Sequence, residues 1–329
     1  MQEKVKVEET PDSLRLFLSK FTKEYMLVFA ILILGLIFTI VSPYFLTITN
    51  IRNILTQTSA LAIVAIGQAM VLICGAFDMS LGQNVCLTSC LAAFLMKMCG
   101  WNPWLAILAA LALGAFIGFV NGTLISYLGV APFVATLGTQ MICKGSAKLI
   151  TNASPIPSMP ESISWIGRGN IGGSNGLPIC IVIMLLLFFL FAFVLKKTKF
   201  GRRTYAAGGN KEAAYFAGIN VKMHTTIVFT LAGLLASFGG IVLLSRLNSA
   251  AVTNGNLYEF DTMISCVIGG ISMTGGKGKI WQAFFGAVFL TLFFNGMSML
   301  NVNSFIQDVL KGAILIGAVL LDIFRNRKR

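Results

Sequence analysis

The chain has 329 residues, 56% of them apolar and only 11% charged, whereas a soluble domain averages about 25% charged. With a mean hydropathy of +0.83, it carries more apolar side chain than a soluble globule or pair of globules buries. Composition therefore excludes a soluble enzyme, a disordered chain and a fibrous repeat, and leaves a polytopic membrane protein. In a soluble protein the net charge of +13 suggests a nucleic-acid partner. Here it reads as an orientation signal, because cytoplasmic loops of membrane proteins collect Lys and Arg, and no nucleic-acid role is assigned.

Residues 1–25 are charged and mixed in sign. The apolar run from Met26 lacks a small-residue cleavage site and reads as a retained first span. About 20 apolar residues cross a bilayer as a helix. On that measure spans are expected near 26–42, 55–74, 84–99, 104–124, 131–150, 177–195, 224–244, 260–272, 281–299 and 304–323, ten in all. The third and eighth are short and flanked by Gly, Ser and Thr, as broken or re-entrant elements are. Most of the 25 basic residues fall inside if both termini are cytoplasmic. The expected fold is thus an all-α polytopic membrane protein of about ten transmembrane helices, some broken or re-entrant. Its parts are a cytoplasmic segment 1–25, a transmembrane domain 26–323 and a basic tail 324–329, with a cytoplasmic loop 197–222 inside the domain.

Within the spans, polar residues stand out in order. Asp78 follows the second span and is costly in hydrocarbon. In one reading it lies at the membrane edge, where Ser80-x-x-Gln83 forms a capping box for the next helix. In the other it faces a polar cavity and binds a solute hydroxyl. Gly114, Gly118 and Gly122 share one helix face and permit close packing, and Asn121 lies on the same surface. Phe133, Thr136, Thr139 and Gln140 share a face of the fifth span. That stripe of ring, hydroxyls and amide suits either a solute path or polar packing between helices. The loop near 151–176 holds Pro155, Pro157 and Pro160, and is either a solvated connection or a contact for an extracytoplasmic partner.

The loop 197–222 carries Lys197, Lys199, Arg202, Arg203, Lys211 and Lys222. Gly208-Gly209-Asn210 reads as a turn with Asn210 as helix N-cap. Glu212 to Ala217 is good helix material, and Gly218 ends it as a left-handed residue. A short helix in the cytoplasm between two spans suits docking to a cytoplasmic protein. The stretch with Gly269, Gly270, Gly275, Gly276 and Gly278 is not a P-loop, since Gly278-Lys279 is followed by Ile280. It reads as an irregular turn between two broken helices, and the chain is not expected to hydrolyse ATP. In the last span Asp308 and Lys311 are three apart and positioned to pair, and Asp322 sits near its cytoplasmic end. The seven Cys lie in or beside apolar segments and read as packing residues. With one His, His224, neither a metal site nor a catalytic cluster is expected.

Several of these segments resemble one family. Glu212-Ala213-Ala214 with Gly218 is similar to the E-A-A-x-x-x-G loop of bacterial ABC importer permeases. The surrounding Gly201, Arg202, Tyr205, Ala206, Gly208, Gly209 and Asn210 look like the ribose/galactose/arabinose/xylose branch. Tyr258-Glu259-x-Asp261 leading into Val267-Ile268-Gly269-Gly270-Ile271-Ser272, Pro132-Phe133 with Thr136-Leu137-Gly138-Thr139, and Gly75 to Gly82 resemble further signatures of that branch. The last departs from the pattern at Ala76 and Met79. The resemblance implies the membrane permease subunit of an ATP-driven monosaccharide importer in the bacterial cytoplasmic (inner) membrane. It implies a homodimer, or a heterodimer with a paralogue, and an extracytoplasmic solute-binding protein. It also implies an ATPase chain, carrying ATP and Mg, that docks on the loop 197–222; the permease itself binds no cofactor. The fifth and last spans then border the path, with Asp78, Asn121, Phe133, Thr136, Thr139 and Gln140 as its candidate residues. A sugar alcohol, an autoinducer-like sugar or a nucleoside remains open as solute. The rival class, an ion-coupled secondary transporter, needs buried midspan carboxylates, for which Asp78, Asp261, Asp308 and Asp322 are on offer.

Overall fold

Backbone polar groups in hydrocarbon must satisfy one another, so apolar segments of this length fold as helices. The computed structural model describes residues 13–173 and 176–327, with side chains from 26 to 173 and 176 to 324. The charged segment 1–12, the side chains of 13–25 and those of 325–329 lie outside the described residues, so the basic residues read there for topology do too. The first half comprises α1 (Ser13–Val41), α2 (Ile48–Ile73), α3 (Leu81–Lys97), α4 (Pro103–Ser126), α5 (Pro132–Thr151) and a short α6 (Glu161–Arg168). Then follow α7 (Ile179–Lys197), α8 (Lys199–Gly209), α9 (Lys211–Phe216), α10 (Val221–Leu247), α11 (Tyr258–Gly269), α12 (Ile280–Met299) and α13 (Ser304–Arg327).

Each of the ten apolar segments read from the sequence coincides with one of these helices. Six are long and apolar enough to cross a membrane: α2, α4, α7, α10, α12 and the part Ser304–Phe324 of α13. The apolar part of α1, Met26–Val41, is shorter, and α5 carries Lys144 and Lys148. The two segments expected to be short are short. α11 has 12 residues and so spans about 18 Å, well under the ~30 Å hydrocarbon core.

α2 is the axis of the bundle, with 83% of its most apolar window buried, and α13 lies at the rim with 6%. α10 is the second central helix and packs along α4 more extensively than any other pair of elements. The reason is the glycine face of α4. A Cβ on Gly118 would sit 2.2 Å from the Phe229 carbonyl oxygen, and one on Gly114 2.4 Å from Ser237 Cβ. Asn84 of α3 bridges the pair, its side-chain amide donating to the carbonyls of Gly114 at 3.3 Å and Gly233 at 3.4 Å. The opposite face of α4 presents Leu105, Leu108, Phe116 and Phe119 outward, as a lipid-facing surface does.

The region near 151–176 folds as a cap. β1 (Ile156–Pro157) pairs antiparallel with β4 (Ser249–Ala250), and β2 (Asn170–Ile171) with β3 (Leu177–Pro178). Between them α6 buries Ile163 and Ile166 and sets Trp165 against Trp104, ring centres 6.2 Å apart. Of the seven cysteines, six are buried packing residues and Cys99 is exposed.

Three local expectations are corrected. Gly208 and Gly209 are not a turn: they are the last residues of α8, and only Asn210 is extended. Ser80-x-x-Gln83 is not a capping box. Ser80 is helical and makes no side-chain cap bond, because its hydroxyl is drawn to Asp78 Oδ1 at 2.6 Å. Lys311 does not turn to Asp308 but reaches across to α11, where its Nζ lies 3.3 Å from Asp261 Oδ2. A partner on a packed neighbouring helix competes well with one three residues away on a rim-exposed face.

Candidate functional site

Two groups of residues carry the functional geometry, one at the α7–α10 connection and one between α3, α4, α5 and α11. At the first, Thr198 caps α8, its hydroxyl oxygen accepting from the Gly201 N–H at 3.4 Å. Gly201 allows α8 to fold back on α7: a Cβ there would lie 2.0 Å from the Leu195 carbonyl oxygen. Arg202 is exposed. Thr204 Oγ1 lies 2.9 Å from His224 Nε2, and the Tyr205 hydroxyl donates to the Gly278 carbonyl at 2.6 Å. Burial pushes the Tyr205 phenol above its ordinary pKa, which keeps it a donor.

α9 forms as the local chemistry predicts. Asn210 Oδ1 accepts from the Ala213 N–H at 2.9 Å, Glu212 sits in the first turn, and Gly218 is left-handed at φ +80°. Only Ala214 of this helix is buried. Tyr215 and Phe216 stand out at 69% and 85% exposure, stacked edge-on with centroids 5.8 Å apart. Two adjacent exposed aromatic rings on a short helix form an exposed apolar surface that packs on nothing in the chain's own described residues.

The end of α8 is tied into the bundle by glycines from three distant segments. The Gly276 N–H donates to the Ile73 carbonyl at 2.9 Å. A Cβ on Gly208 would lie 1.8 Å from that same oxygen and 2.8 Å from the Gly276 nitrogen. A Cβ on Gly275 would lie 2.6 Å from Gly75 Cα and from the Gly208 carbonyl oxygen, and its φ of +86° suits only glycine. Backbone therefore rests on backbone where the C-terminal ends of α2 and α8 meet the loop 270–279. Asp322 of α13 joins the same region, its Oδ2 accepting from the Met273 N–H at 3.1 Å. The sequence presented these glycines as three separate motifs, and nothing local in it signals that they meet.

The second group is a buried polar chain. Asp78 is fully buried, and its Oδ1 accepts from both the Ser80 N–H (2.8 Å) and the Ser80 hydroxyl (2.6 Å). The Asn121 side-chain amide donates to Ser80 Oγ at 2.9 Å, and Thr139 Oγ1 donates to Asn121 Oδ1 at 2.6 Å. Burial pushes Asp78, in the loop between α2 and α3, up to about 6, the Ser80 bonds pulling the other way. Gln140 Nε2 donates to Glu259 Oε1 at 2.7 Å. Thr136 is buried with its hydroxyl on the Pro132 carbonyl, while Phe133 is half exposed and tilted against Phe77 at 6.3 Å. Asp78, Asn121 and Thr139 thus form one chain, and Gln140 belongs to a second contact. Glu259 was missed as a site residue. It is 2% exposed, and a Cβ on Gly82 would fall on its Oε2. Its signal was a carboxylate at the start of an apolar segment, inside the Tyr258-Glu259-x-Asp261 run.

This architecture has clear relatives. The family model described as "Branched-chain amino acid transport system / permease component" matches residues 50–319. The chain belongs to this permease family. It is 38% identical over 322 residues to the ribose import permease protein of Escherichia coli (strain K12), covering 98% of this chain and 99% of that one. It is 37% identical over 319 residues to a probable ABC transporter permease protein of the same strain, covering 96% and 94%. With the galactose/methyl galactoside import permease protein of Salmonella typhimurium (strain LT2) it shares 34% over 322 residues, covering 93% and 96%. No solved structure matches the chain. The permease is a multi-pass membrane protein and a transport subunit. Its matched region runs from the start of α2 into α13 and includes both groups of residues above. Among the described residues, no group of three or more His, Cys, Asp or Glu is placed to hold a metal ion.

Proposed function

We propose that this chain is the membrane-spanning permease subunit of an ATP-driven ABC importer for a monosaccharide of the ribose or galactose kind. The carrying observation is the exposed Tyr215–Phe216 surface of α9, held against the bundle by the glycine junction, in a chain alike from end to end to ribose and galactose permeases. In this reading the ten apolar helices insert in the cytoplasmic (inner) membrane with both termini inside. A cytoplasmic ATPase carrying ATP and Mg docks on α8 and α9, contacting Arg202, Glu212 and the aromatic pair. Two permease chains, identical or paralogous, form the pore, and an extracytoplasmic binding protein delivers the solute above the α6 cap. When the ATPase halves close, α8 and α9 move, and the backbone contacts at Gly75, Gly208 and Gly275 pass that motion to α2 and to the loop before α12. Phe133 and Gln140 border the path on α5, and the chain from Asp78 through Asn121 to Thr139 braces that helix.

Glu259 favours a second reading, since a buried carboxylate with one oxygen unpartnered is what an ion-coupled carrier needs. The two are separated by uptake of labelled ribose and galactose in cells expressing the chain with its neighbouring genes. ATP-driven import persists with a protonophore and stops on ATP depletion. Import lost to the protonophore alone overturns the ABC reading.

A further inference from the structure

A cavity of about 590 Å³ is walled by the end of α7, by α8 and by the start of α12. Neither the glycine junction nor the buried polar chain uses it. Leu195, Tyr205 and Trp281 give it an apolar wall, and its charged side chains are Lys196, Arg202 and Lys279, one from each element. The three cations are exposed, so they stand at its rim, whereas Leu195 is buried and Tyr205 and Trp281 are half-buried. Among the described residues no acidic side chain lines the cavity, and none pairs with Lys196 or Arg202. The Tyr205 hydroxyl is already given to the Gly278 carbonyl at 2.6 Å. Lys279 Nζ stands 5.9 Å from the centre of the Trp281 ring, a cation held beside an interfacial aromatic.

From Trp281 an unbroken series of rings crosses the seam between α12 and α7. Trp281 lies 6.0 Å from Phe285, Phe285 5.4 Å from Phe284, Phe284 4.8 Å from Phe188 of α7, and Phe188 5.1 Å from Phe189. Phe189 is exposed, as are Leu186, Leu190 and Phe193. Both helices are long and apolar enough to cross a membrane, so this seam faces acyl chains. About 12 Å of helix separates Phe188 from Lys196 at the rim. The ligand is therefore anionic at one end and apolar at the other. A soluble anion answers the cations but leaves the apolar wall in water. A zwitterionic headgroup brings its own ammonium against three cations. An anionic phospholipid meets both demands, and basic pockets between membrane helices bind such headgroups. The volume falls within the ~300–1,000 Å³ of small-molecule sites, which gives room for a headgroup with its chains outside on the seam.

We propose that the α7–α8–α12 cavity holds the headgroup of an anionic phospholipid, whose acyl chains lie along the aromatic seam between α7 and α12. The charge rests on Lys196 and Lys279 even where Arg202 is engaged by another chain. The test is tryptophan fluorescence of the full-length permease in phosphatidylcholine vesicles that contain a minor lipid brominated on its acyl chains. That lipid is either phosphatidylglycerol or phosphatidylcholine. The chain has four Trp, and the quenching that disappears in Trp281→Phe belongs to Trp281. With the brominated lipid at about 10 mol%, random contact gives about one-tenth occupancy and a tenfold preference about one half, so brominated phosphatidylglycerol should quench Trp281 about five times as much as brominated phosphatidylcholine. Lys196→Gln combined with Lys279→Gln should bring that ratio to about one, while Lys196→Arg should preserve it. Ala192 lines the cavity, so Ala192→Phe fills it without changing any charge and should also abolish the preference.

Both lysines are exposed, so their variants should melt with the wild-type chain; Ala192→Leu repeats the filling should Ala192→Phe melt lower. Equal quenching of Trp281 by the two brominated lipids in the wild-type chain overturns the proposal. A preference that survives Ala192→Phe also overturns it, because it then reflects diffuse attraction to a basic face and not occupancy of the cavity. Equal quenching together with loss of ATPase copurification in the double lysine variant gives the cavity to an acidic segment of that protein instead. These readouts do not involve solute uptake, so the lipid site and the importer reading stand or fall separately.

Discussion

Gly208→Ala is the most demanding perturbation of the glycine junction at the end of α8, because helix propensity and tertiary contact give it opposite signs. Gly208 is the penultimate residue of α8, and replacing glycine by alanine within a helix stabilises by about 0.5–1 kcal/mol. Against that, the new methyl would lie 1.8 Å from the Ile73 carbonyl oxygen and 2.8 Å from the Gly276 nitrogen. Both are backbone atoms, so no rotamer change relieves the clash, and α8 must retreat by more than 1 Å on the order of a van der Waals contact. That retreat opens the seam where Gly276 donates to Ile73. Overpacking costs about 1–3 kcal/mol and a lost hydrogen bond about 1 more, so after the helix gain the net is a loss of about 1–3 kcal/mol. Gly209→Ala is the internal control: it ends the same helix and its Cβ meets nothing within 4 Å, so it should be neutral or slightly stabilising. Unfolding of a solubilised permease is read as an apparent Tm under one heating rate, and six buried cysteines serve as reporters with a thiol-reactive dye. Gly208→Ala should melt below wild type and import poorly, with Gly209→Ala at or above wild type. A Gly208→Ala chain that melts at or above the Gly209→Ala chain refutes the glycine junction.

Phe216→Ala, at a side chain 85% exposed, should change stability by less than about 0.5 kcal/mol while strongly lowering uptake and the copurification of the ATPase; normal uptake would remove α9 as the docking element. Asp78 binds its proton more tightly folded than unfolded between its ordinary 3.8 and about 6. Stability should therefore fall as pH rises through that window, by on the order of 3 kcal/mol at full ionisation. Asp78→Asn keeps an acceptor for Ser80 and should flatten this profile, which apparent Tm against pH reads directly. Gly118→Leu, with a Cβ 2.2 Å from the Phe229 carbonyl, should part α4 from α10 and lower Tm more than Gly138→Leu, where nothing lies within 4 Å. Lys311→Met should be more harmful than the double variant with Asp261→Asn, because the single change strands a buried carboxylate.

Much of the site's local chemistry was readable. The cap at Asn210, the six-residue α9 and the left-handed Gly218 follow from interactions within a few residues, and all are found as expected. The glycine face of α4 was also readable, since helical spacing alone places Gly114, Gly118 and Gly122 together. The misreadings share one cause, a distant partner outbidding a near one. Gly208-Gly209 has the composition of a turn, yet stays helical because α8 packs against Ile73 and Gly276. Ser80 forgoes the cap for Asp78 and Asn121, and Lys311 leaves Asp308 for Asp261 on α11. Glu259 was named in a motif but not as a site residue, because one carboxylate beside an apolar stretch looks the same whether it ends at a surface or, as here, under Gln140.

The sequence by itself determined that the chain is a helical membrane protein, where its apolar helices run and to which permease family it belongs. Hydrophobic length, charge and short-range capping are properties of contiguous residues, and they survive without knowledge of the fold. Only the tertiary structure decided that Gly75, Gly208 and Gly275 form one junction, that Asp78, Asn121 and Thr139 form one chain, and that Asp261 pairs with Lys311 between α11 and α13. Those contacts join residues tens to hundreds of positions apart. They exist because α2 and α10 pack at the centre of the bundle, bringing the loops before α3, after α8 and before α12 to the same place.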